Sequence, residues 1–578
     1  MNNQLTTFSE NKTKVYLALV LIPFCLYFKS IFYDFSPMDD QWMVIQNSDT
    51  LSDWKNIKTF FTKPLAGLYY RPLFSISLML DFHIGKTNPF IYHLSNLIYH
   101  LTSVILLYKL FLALKVDIKT SFFLSLIFAV HPVLLHAIAW IPGRNDILLT
   151  IFTLGSALYL IKFLTEHKTQ YIVFHLLFFI CSVLTKENAI ILPLFFTCLI
   201  YYFKQTKKTF FVFFFSWIII ILGWYFLRSL AVKSSLTLGA DVLMSIKNFA
   251  MGILLYLGKS IIPVQQSVFP TLKNSSIIFG IVVLAVMGLT VLKFGVKNKI
   301  LAILGVVLFF SMISIPVWYG ATGSSGEHYE QRVYLPLIGL LLFISQLNFN
   351  KNSLVFFYCS VLVILIFSIK TFSRLNVYKN DNSFIEAGIK EAPEYYFFYA
   401  VKGDQLLVQQ NYIASIPYYN TAIKMQPTRP QLYSSRGYAY TEIGKLKEAI
   451  DDFSKAIEYS KNNPDMYLNR CLAYTKSGNI EMAIQDLTYL KKNAPQIIPE
   501  GLEKELFESW HTIMFQKMNE QIITEPQNAS LYVRRAKLFI SKNNFKEALE
   551  DIKIACKLEP NNPTFKTYFN QLISRVKQ

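Results

Sequence analysis

The chain has 578 residues; 53% are hydrophobic, 16% aromatic and only 16% charged, and the formal net charge is +19. Soluble domains carry about 25% charged residues, so a purely soluble enzyme is excluded. Residues 1–370 hold 29 Lys+Arg against 14 Asp+Glu, whereas residues 371–578 hold 27 against 23. The basic excess thus travels with long apolar runs, which points to membrane topology and not to a nucleic-acid partner.

A spanning helix needs about 20 mostly apolar residues. Candidate spans fall at 14–33, 90–112, 120–137, 147–163, 171–186, 189–203, 210–228, 275–293, 300–318, 333–347 and 353–371, which makes about eleven. No small-residue cleavage site follows the first run, so it reads as a retained span. The stretch 242–262, interrupted by Lys247 and Lys259, reads as an interfacial helix in a long outer loop. With the start of the chain inside, Lys12, Lys14, Lys115, Lys119, Lys162, Lys168, Lys204, Lys207, Lys208, Lys293, Lys297, Lys299 and Lys351 all fall on the inner side. This is the positive-inside pattern, and an odd number of spans places the C-terminal part outside.

Residues 373–395 read as a linker. Beyond it a 34-residue period begins, with blocks starting at 396, 430 and 464 and a further one at 529. Gly403, Gly437, Cys471 and Ala536 recur at one position; Ala422, Ala449, Ala456, Ala483, Ala548 and Ala555 recur at others, and Pro427, Pro495 and Pro560 close three blocks. Small residues where paired helices cross, and aromatics such as Tyr440 and Phe453 between them, are the marks of tetratricopeptide repeats. Residues 498–528 fit a degenerate repeat and 563–576 a capping helix. The predicted fold is therefore all-α: a polytopic membrane helix bundle over 1–372, then an α-solenoid over 396–578. The six cysteines show no CxxC or ligand-like spacing, so neither a disulfide framework nor a zinc site is expected.

In the membrane part the informative residues are the rare polar ones. Of its acids only Glu10, Asp117 and Glu166 map inside; Asp34, Asp39, Asp40, Asp49, Asp53, Asp81, Asp146, Glu187, Asp241, Glu327 and Glu330 map outside. All four arginines of 1–370, Arg71, Arg144, Arg228 and Arg332, map outside too, against the positive-inside bias. Arginine grips phosphate with a planar fork. Separate outer loops that bring arginine and carboxylate together suggest a site for an anionic substrate at the membrane boundary. Glycosyl transfer needs such a set: a carboxylate to take the acceptor's proton and cations to stabilise a departing phosphate. Snorkelling and scattered loop charge are the plainer alternatives.

Five segments carry more than composition. They are Asp39-Asp40 with Ile45 and Asn47, Tyr70-Arg71-Pro72-Leu73, His131-Pro132 followed by Trp140-Ile141-Pro142-Gly143-Arg144-Asn145-Asp146, Thr185-Lys186-Glu187-Asn188, and Glu330-Gln331-Arg332 before Tyr334-Leu335-Pro336. These segments resemble the transmembrane and tetratricopeptide-repeat O-mannosyltransferase-like family, within the multi-spanning glycosyltransferases called GT-C. The sequence departs from the family pattern at His136, a position that is often acidic there, and at Gln331, which separates two residues usually adjacent. The resemblance implies a polyprenyl-phosphate-linked monosaccharide donor, inversion at the anomeric centre and an outward repeat domain.

On this reading Asp39 and Asp40 are the catalytic pair, Asp39 first as general base. Arg144, Arg332 and Lys186 are the expected donor-phosphate contacts. His131, Trp140, Asp146, Glu187, Glu330, Tyr334 and Arg71 are substrate-binding candidates, with Trp140 and Tyr334 as walls for sugar or prenyl chain. Neither metal nor cofactor is expected. The partners would be the lipid-borne donor, membrane lipid and an acceptor protein or peptide held by the repeats, with no nucleic acid. A chain rich in Lys, Asn, Ile and Phe suggests a bacterial inner membrane, with the outer face periplasmic. The rivals are a lipid-linked oligosaccharide ligase or polymerase, and a non-enzymatic membrane-anchored repeat scaffold. A scaffold needs one or two spans, and a ligase or polymerase tends to keep its key residues in one large late loop. A transporter would show charges at mid-span, which are almost absent here.

Overall fold

The computed structural model describes residues 12–66, 69–232, 242–322, 328–348 and 354–576. Glu10, Asp241, Glu327 and Lys351 lie outside the described residues. Among the described residues the regular structure is helical throughout, and the chain divides into two compact units, Met1–Pro393 and Glu394–Gln578.

The longer helices of the first unit are α1 (Lys12–Tyr27), α2 (Pro72–Gly85), α3 (Pro89–Ala113), α4 (Ile118–Ala129), α5 (Arg144–Glu166), α6 (Gln170–Thr185) and α7 (Leu192–Tyr202). They continue as α8 (Lys207–Ala231), α9 (Val242–Ile261), α10 (Ile278–Phe294), α11 (Lys299–Thr322), α12 (Tyr334–Ser345), α13 (Leu354–Leu375) and α14 (Asp381–Glu391). Six of the helical stretches are long and apolar enough to cross a membrane. At about 1.5 Å per residue, 25 residues reach roughly 37 Å, more than a hydrocarbon core of about 30 Å. The bent pair Ile118–Ala129 and Pro132–Ala139, turned by 46°, is apolar enough when taken together and forms either a broken span or a re-entrant loop. The remaining sequence-predicted spans fall on shorter helices, α6, α7, α10 and α12. This is a multi-pass membrane chain. Helices α8 and α13 bury little of their length inside the protein, as expected of helices that face lipid.

Three expectations change. The stretch 242–262 is not a surface helix throughout: the end of α9 packs into the bundle, burying Leu255, Tyr256, Leu257 and Lys259. Residues 72–85, read as part of a loop, form α2, started by Pro72 at its first position. The expected linker 373–395 is largely helical and folds with the first unit. Arg374 pairs with Glu391 at 2.8 Å, and Gln41 donates to Asp381 at 3.0 Å.

The second unit is a run of helix pairs: α15 (Tyr396–Val408) with α16 (Tyr412–Met425), α17 (Pro430–Glu442) with α18 (Leu446–Tyr459), and α19 (Pro464–Lys476) with α20 (Ile480–Asn493). After them come α21 (Leu502–Thr524), the pair α22 (Ala529–Ser541) and α23 (Phe545–Leu558), and the terminal α24 (Pro563–Val576). Gly437 lets the partner helix close in, because a Cβ there would stand 2.9 Å from the Phe453 ring. The degenerate repeat expected at 498–528 is instead one helix of 23 residues, since Leu502–Thr524 contains neither Gly nor Pro to turn it.

A polar ladder runs through the pairs. Arg436 grips Asp452 with two bonds (2.8 and 2.6 Å), Arg470 grips Asp486 (2.9 and 2.7 Å) and Arg535 grips Asp551 (2.8 and 2.6 Å), each 16 residues ahead. Each arginine also reaches 16 residues back through Nη1, to Asn420, Ser454 and Asn519 respectively. The bidentate forks satisfy carboxylates that the small-residue packing has buried.

Candidate functional site at one end of the helix bundle

Ion pairs tie several of the polar segments singled out in the sequence to distant parts of the first unit: Arg71 to Glu187, Lys186 to Asp146 and Glu330 to Lys259. The chain leaves the first apolar helix through Asp34, whose N–H donates to Lys379 O at 3.1 Å. It then turns into Asp39 and Asp40 and a π-helical turn, Gln41–Gln46. Such turns put one extra residue into a helix and recur at functional sites. The bend after α4 is set by His131, whose Nδ1 accepts from Val133 N at 3.3 Å, with Pro132 opening the next turn. At the tight turn into α5 only glycine fits position 143: a Cβ would lie 2.7 Å from Ala137 Cα and 2.8 Å from its carbonyl oxygen.

Four charged residues from three loops form a first cluster. Lys186 Nζ donates to Asp146 Oδ1 at 2.6 Å and to Asn145 Oδ1 at 3.2 Å, while Arg71 forks onto Glu187 through Nε and Nη2. Lys186 and Glu187, adjacent in sequence, therefore pair outward to different loops instead of capping each other.

A second cluster joins the end of α9 to the 3-10 turn Glu330–Val333 that precedes α12. Lys259 Nζ meets Glu330 Oε1 at 2.8 Å with both side chains buried, and Ser267 N and Gln266 Nε2 complete the carboxylate's contacts. Arg332 is partly exposed, stacks 5.3 Å from the Tyr329 ring, reaches Pro316 O at 3.3 Å and also bonds Tyr256. The Trp140 and Tyr329 rings stack 6.0 Å apart at 29° to each other, and His136 packs against both. Both nitrogens of His136 and Nε1 of Trp140 are buried without a hydrogen-bond partner among the described residues. Gln331, where the sequence departs from the resemblance, is buried beside them.

The catalytic candidates differ in setting. Asp39 is half-buried and Asp40 fully enclosed, with Ser36 N donating to Asp40 Oδ2 at 2.9 Å and Oδ1 without a partner among the described residues. Burial pushes the Asp40 carboxyl up to about 8; the Ser36 N–H opposes this and the neighbouring Asp39 charge adds to it. The native state thus keeps a proton that the unfolded chain releases near pH 4. Stability from this group falls as pH rises from about 4 to about 8. Asp40→Asn is expected to flatten that slope in thermal unfolding followed from pH 5 to pH 8, and an unchanged slope refutes the assignment.

Some sequence candidates are enclosed in ways that bind protein instead. Arg144 is fully buried and makes an ion pair with Asp81 at 2.6 Å; Nε donates to Asn96 Oδ1, and the other nitrogens to Ser77 O and Tyr92 O. This is a structural tie, because every edge of the guanidinium already faces a protein acceptor. Tyr334 is equally buried and shares a 2.6 Å hydrogen bond with His100 Nδ1, and His131 Nε2 meets Ser260 O at 3.1 Å. Sequence reasoning missed Asp81, Lys259 and Asn96 as members of these networks. Asp81 carried a signal, being an acid alone in an apolar run. Among the described residues no three His, Cys, Asp or Glu side chains gather as a metal-ligating group.

Fold and site together define a multi-pass helical membrane protein that carries a tetratricopeptide solenoid. Family profiles match the second unit as a TPR repeat at residues 437–478 and a tetratricopeptide repeat at 529–562. In sequence the chain is similar to protein O-mannosyl-transferases. TMTC3 of Homo sapiens is 34% identical over 160 residues, covering 26% of this chain and 17% of its own. TMTC1 of Mus musculus is 30% identical over 189 residues (28% and 19%), and TMTC2 of Mus musculus 34% over 145 (24% and 17%). The matched stretches thus span less than a fifth of the length of these relatives. The resemblance read from the motifs is borne out.

Proposed function

We propose that the protein is an inverting membrane glycosyltransferase that moves one monosaccharide from a polyprenyl-phosphate donor to a hydroxyl of an acceptor protein. The observation that carries this reading is the joining of three separate polar segments by the pairs Arg71–Glu187 and Lys186–Asp146. Asp39 takes the acceptor proton as the hydroxyl attacks the sugar carbon. Asp40, keeping its own proton, holds the turn by accepting from Ser36 N. Arg332 and Lys186 stabilise the phosphate that departs, and the buried Arg144 fixes the loops that carry them. Trp140, His136 and Tyr329 wall the sugar. The end that carries these residues faces the outer, periplasmic side of a bacterial inner membrane. The similarity to protein O-mannosyl-transferases supports mannose as the sugar.

A concave repeat surface suits an extended peptide, so the second unit presents the acceptor. The test supplies membranes holding the full chain with a labelled polyprenyl-phosphate sugar. Label is expected on protein; a chain lacking 394–578 is expected to keep donor binding and to lose protein labelling. Absence of transfer by the full chain from any prenyl-linked sugar refutes the enzyme reading. Undiminished labelling by the shortened chain refutes the presentation role.

A further inference from the structure

Residues 376–391 follow α13 and end just before the second unit begins at Glu394. Their course is fixed by their own chemistry. Asn380 and Ser383 cap α14 reciprocally, with Ser383 N donating to Asn380 Oδ1 at 3.0 Å and Asn380 N to Ser383 Oγ at 3.2 Å. The cap places Asp381 at the first position of the helix. At the near end Asn376 Oδ1 accepts from Lys29 Nζ at 2.8 Å. At the far end the Glu391 carboxylate takes a fork from Arg374 and, at 3.0 Å, the N–H of Val268.

The segment lies across the turn that carries the two aspartates. Asp34 N donates to Lys379 O at 3.1 Å, and Gln41 Nε2 donates to Asp381 Oδ2 at 3.0 Å. Residues 34–41 are thus pinned at both ends to closely spaced positions on the segment. Between the pins Ser36 N donates to Asp40 Oδ2, and Gln41 opens the π-helical turn directly after Asp40. On the same segment the Tyr378 ring packs 5.7 Å from that of His136.

Asp381 is half-buried, and its Oδ1 has no hydrogen-bond partner among the described residues. A carboxylate held in this way costs stability and does not add to it, which argues for a role beyond packing. An acid at the first helical position also suits the positive end of the helix. That role needs the charge but not Gln41.

We propose that residues 376–391 belong to the reaction centre and that Asp381 is a positioning residue, holding the Asp39-Asp40 turn through Gln41. The inference rests on the transferase reading and adds to it a residue from beyond the last span. Asp381 touches no reacting atom. By fixing Gln41 it fixes the direction from which Asp39 meets an acceptor hydroxyl, and misplacing such a group by about 1 Å costs on the order of 10²-fold in rate.

The test follows initial rates of the full chain in membranes supplied with a labelled polyprenyl-phosphate sugar. Asp381→Ala is expected to lower kcat about 10- to 100-fold and to leave KM for the donor within about twofold. Asp381→Asn keeps an acceptor for Gln41 and drops the charge, so it should stay within about threefold of the wild type. Gln41→Met should fall as far as Asp381→Ala, and the double variant no further than either single one. Amide hydrogen exchange gives a readout without turnover: residues 36–46 should exchange about tenfold faster in Asp381→Ala. Wild-type kcat or unchanged exchange in that variant overturns the inference while the transferase reading stands. So does Asp381→Asn falling as far as Asp381→Ala, which assigns the charge and not the bond, and so do losses that multiply in the double variant. If Asp381→Ala does not fold, Gln41→Met decides, and wild-type kcat there overturns the inference. A wild type that transfers nothing refutes the transferase reading itself.

Discussion

Asp39→Asn is expected to lower sugar transfer by about 10²- to 10⁴-fold while leaving donor binding within about twofold. The two neighbouring acids are not equivalent. Asp40 is wholly enclosed, accepts from Ser36 and holds its carboxyl near 8, so at neutral pH it stays protonated. Asp39 is half-buried, so an acceptor hydroxyl can approach it. Asparagine preserves the shape at either position and removes only the ability to take up a proton. Asp40→Asn is therefore expected to cost no more than about tenfold, since its amide oxygen still accepts from Ser36 N. Initial rates at saturating donor, measured beside donor binding, separate the two. Wild-type turnover by Asp39→Asn defeats the assignment.

Arg144→Met is expected to destabilise the first unit by about 3–5 kcal/mol, the cost of leaving Asp81 buried without its partner. Arg144→Lys should rescue little, because an ammonium cannot meet Asn96, Asp81, Ser77 O and Tyr92 O at once from one planar fork. The double change Arg144→Met with Asp81→Leu should recover much of the loss, since two apolar side chains can replace a buried pair. Thermal unfolding in detergent provides the measurement. If the single variant melts with the wild type, the tie is not structural.

These expectations also mark where sequence reading stopped. Helices α3, α5 and α11 were visible because a bilayer demands unbroken apolar length, and the helix pairs because Gly437, Ala449 and Ala456 repeat at a fixed period. Helix α2 was hidden by its shortness and by the proline, Pro72, that opens it after Tyr70-Arg71. The long helix α21 was hidden because a repeat was expected where the chain simply lacked a turn. In the site, one-dimensional topology brought Asp39, Arg71, Asp146, Lys186 and Arg332 to one side, and the structure pairs Arg71 with Glu187 and Lys186 with Asp146. It could not say that Lys186 would choose Asp146, 40 residues away, over its neighbour Glu187. Nor could it separate Arg144, consumed by protein acceptors, from Arg332, which keeps part of its surface exposed. Partner choice is decided by packing across distant segments, and no local spacing records it.

The arginine ladder gives the second unit a direction. Every rung arginine holds an acid in its own helix pair and an acceptor in the helix before it, so the first two pairs and α21 are each tied to the pair that follows. The corresponding position in the first pair is Lys402, where no earlier pair exists to reach. Such an array can be lengthened at its far end without disturbing the chemistry already in place. Trimmed from its front, it exposes an arginine that has lost one of its two anchors. Growth and loss are then unequal operations, and variation in repeat number should accumulate toward the C-terminal side.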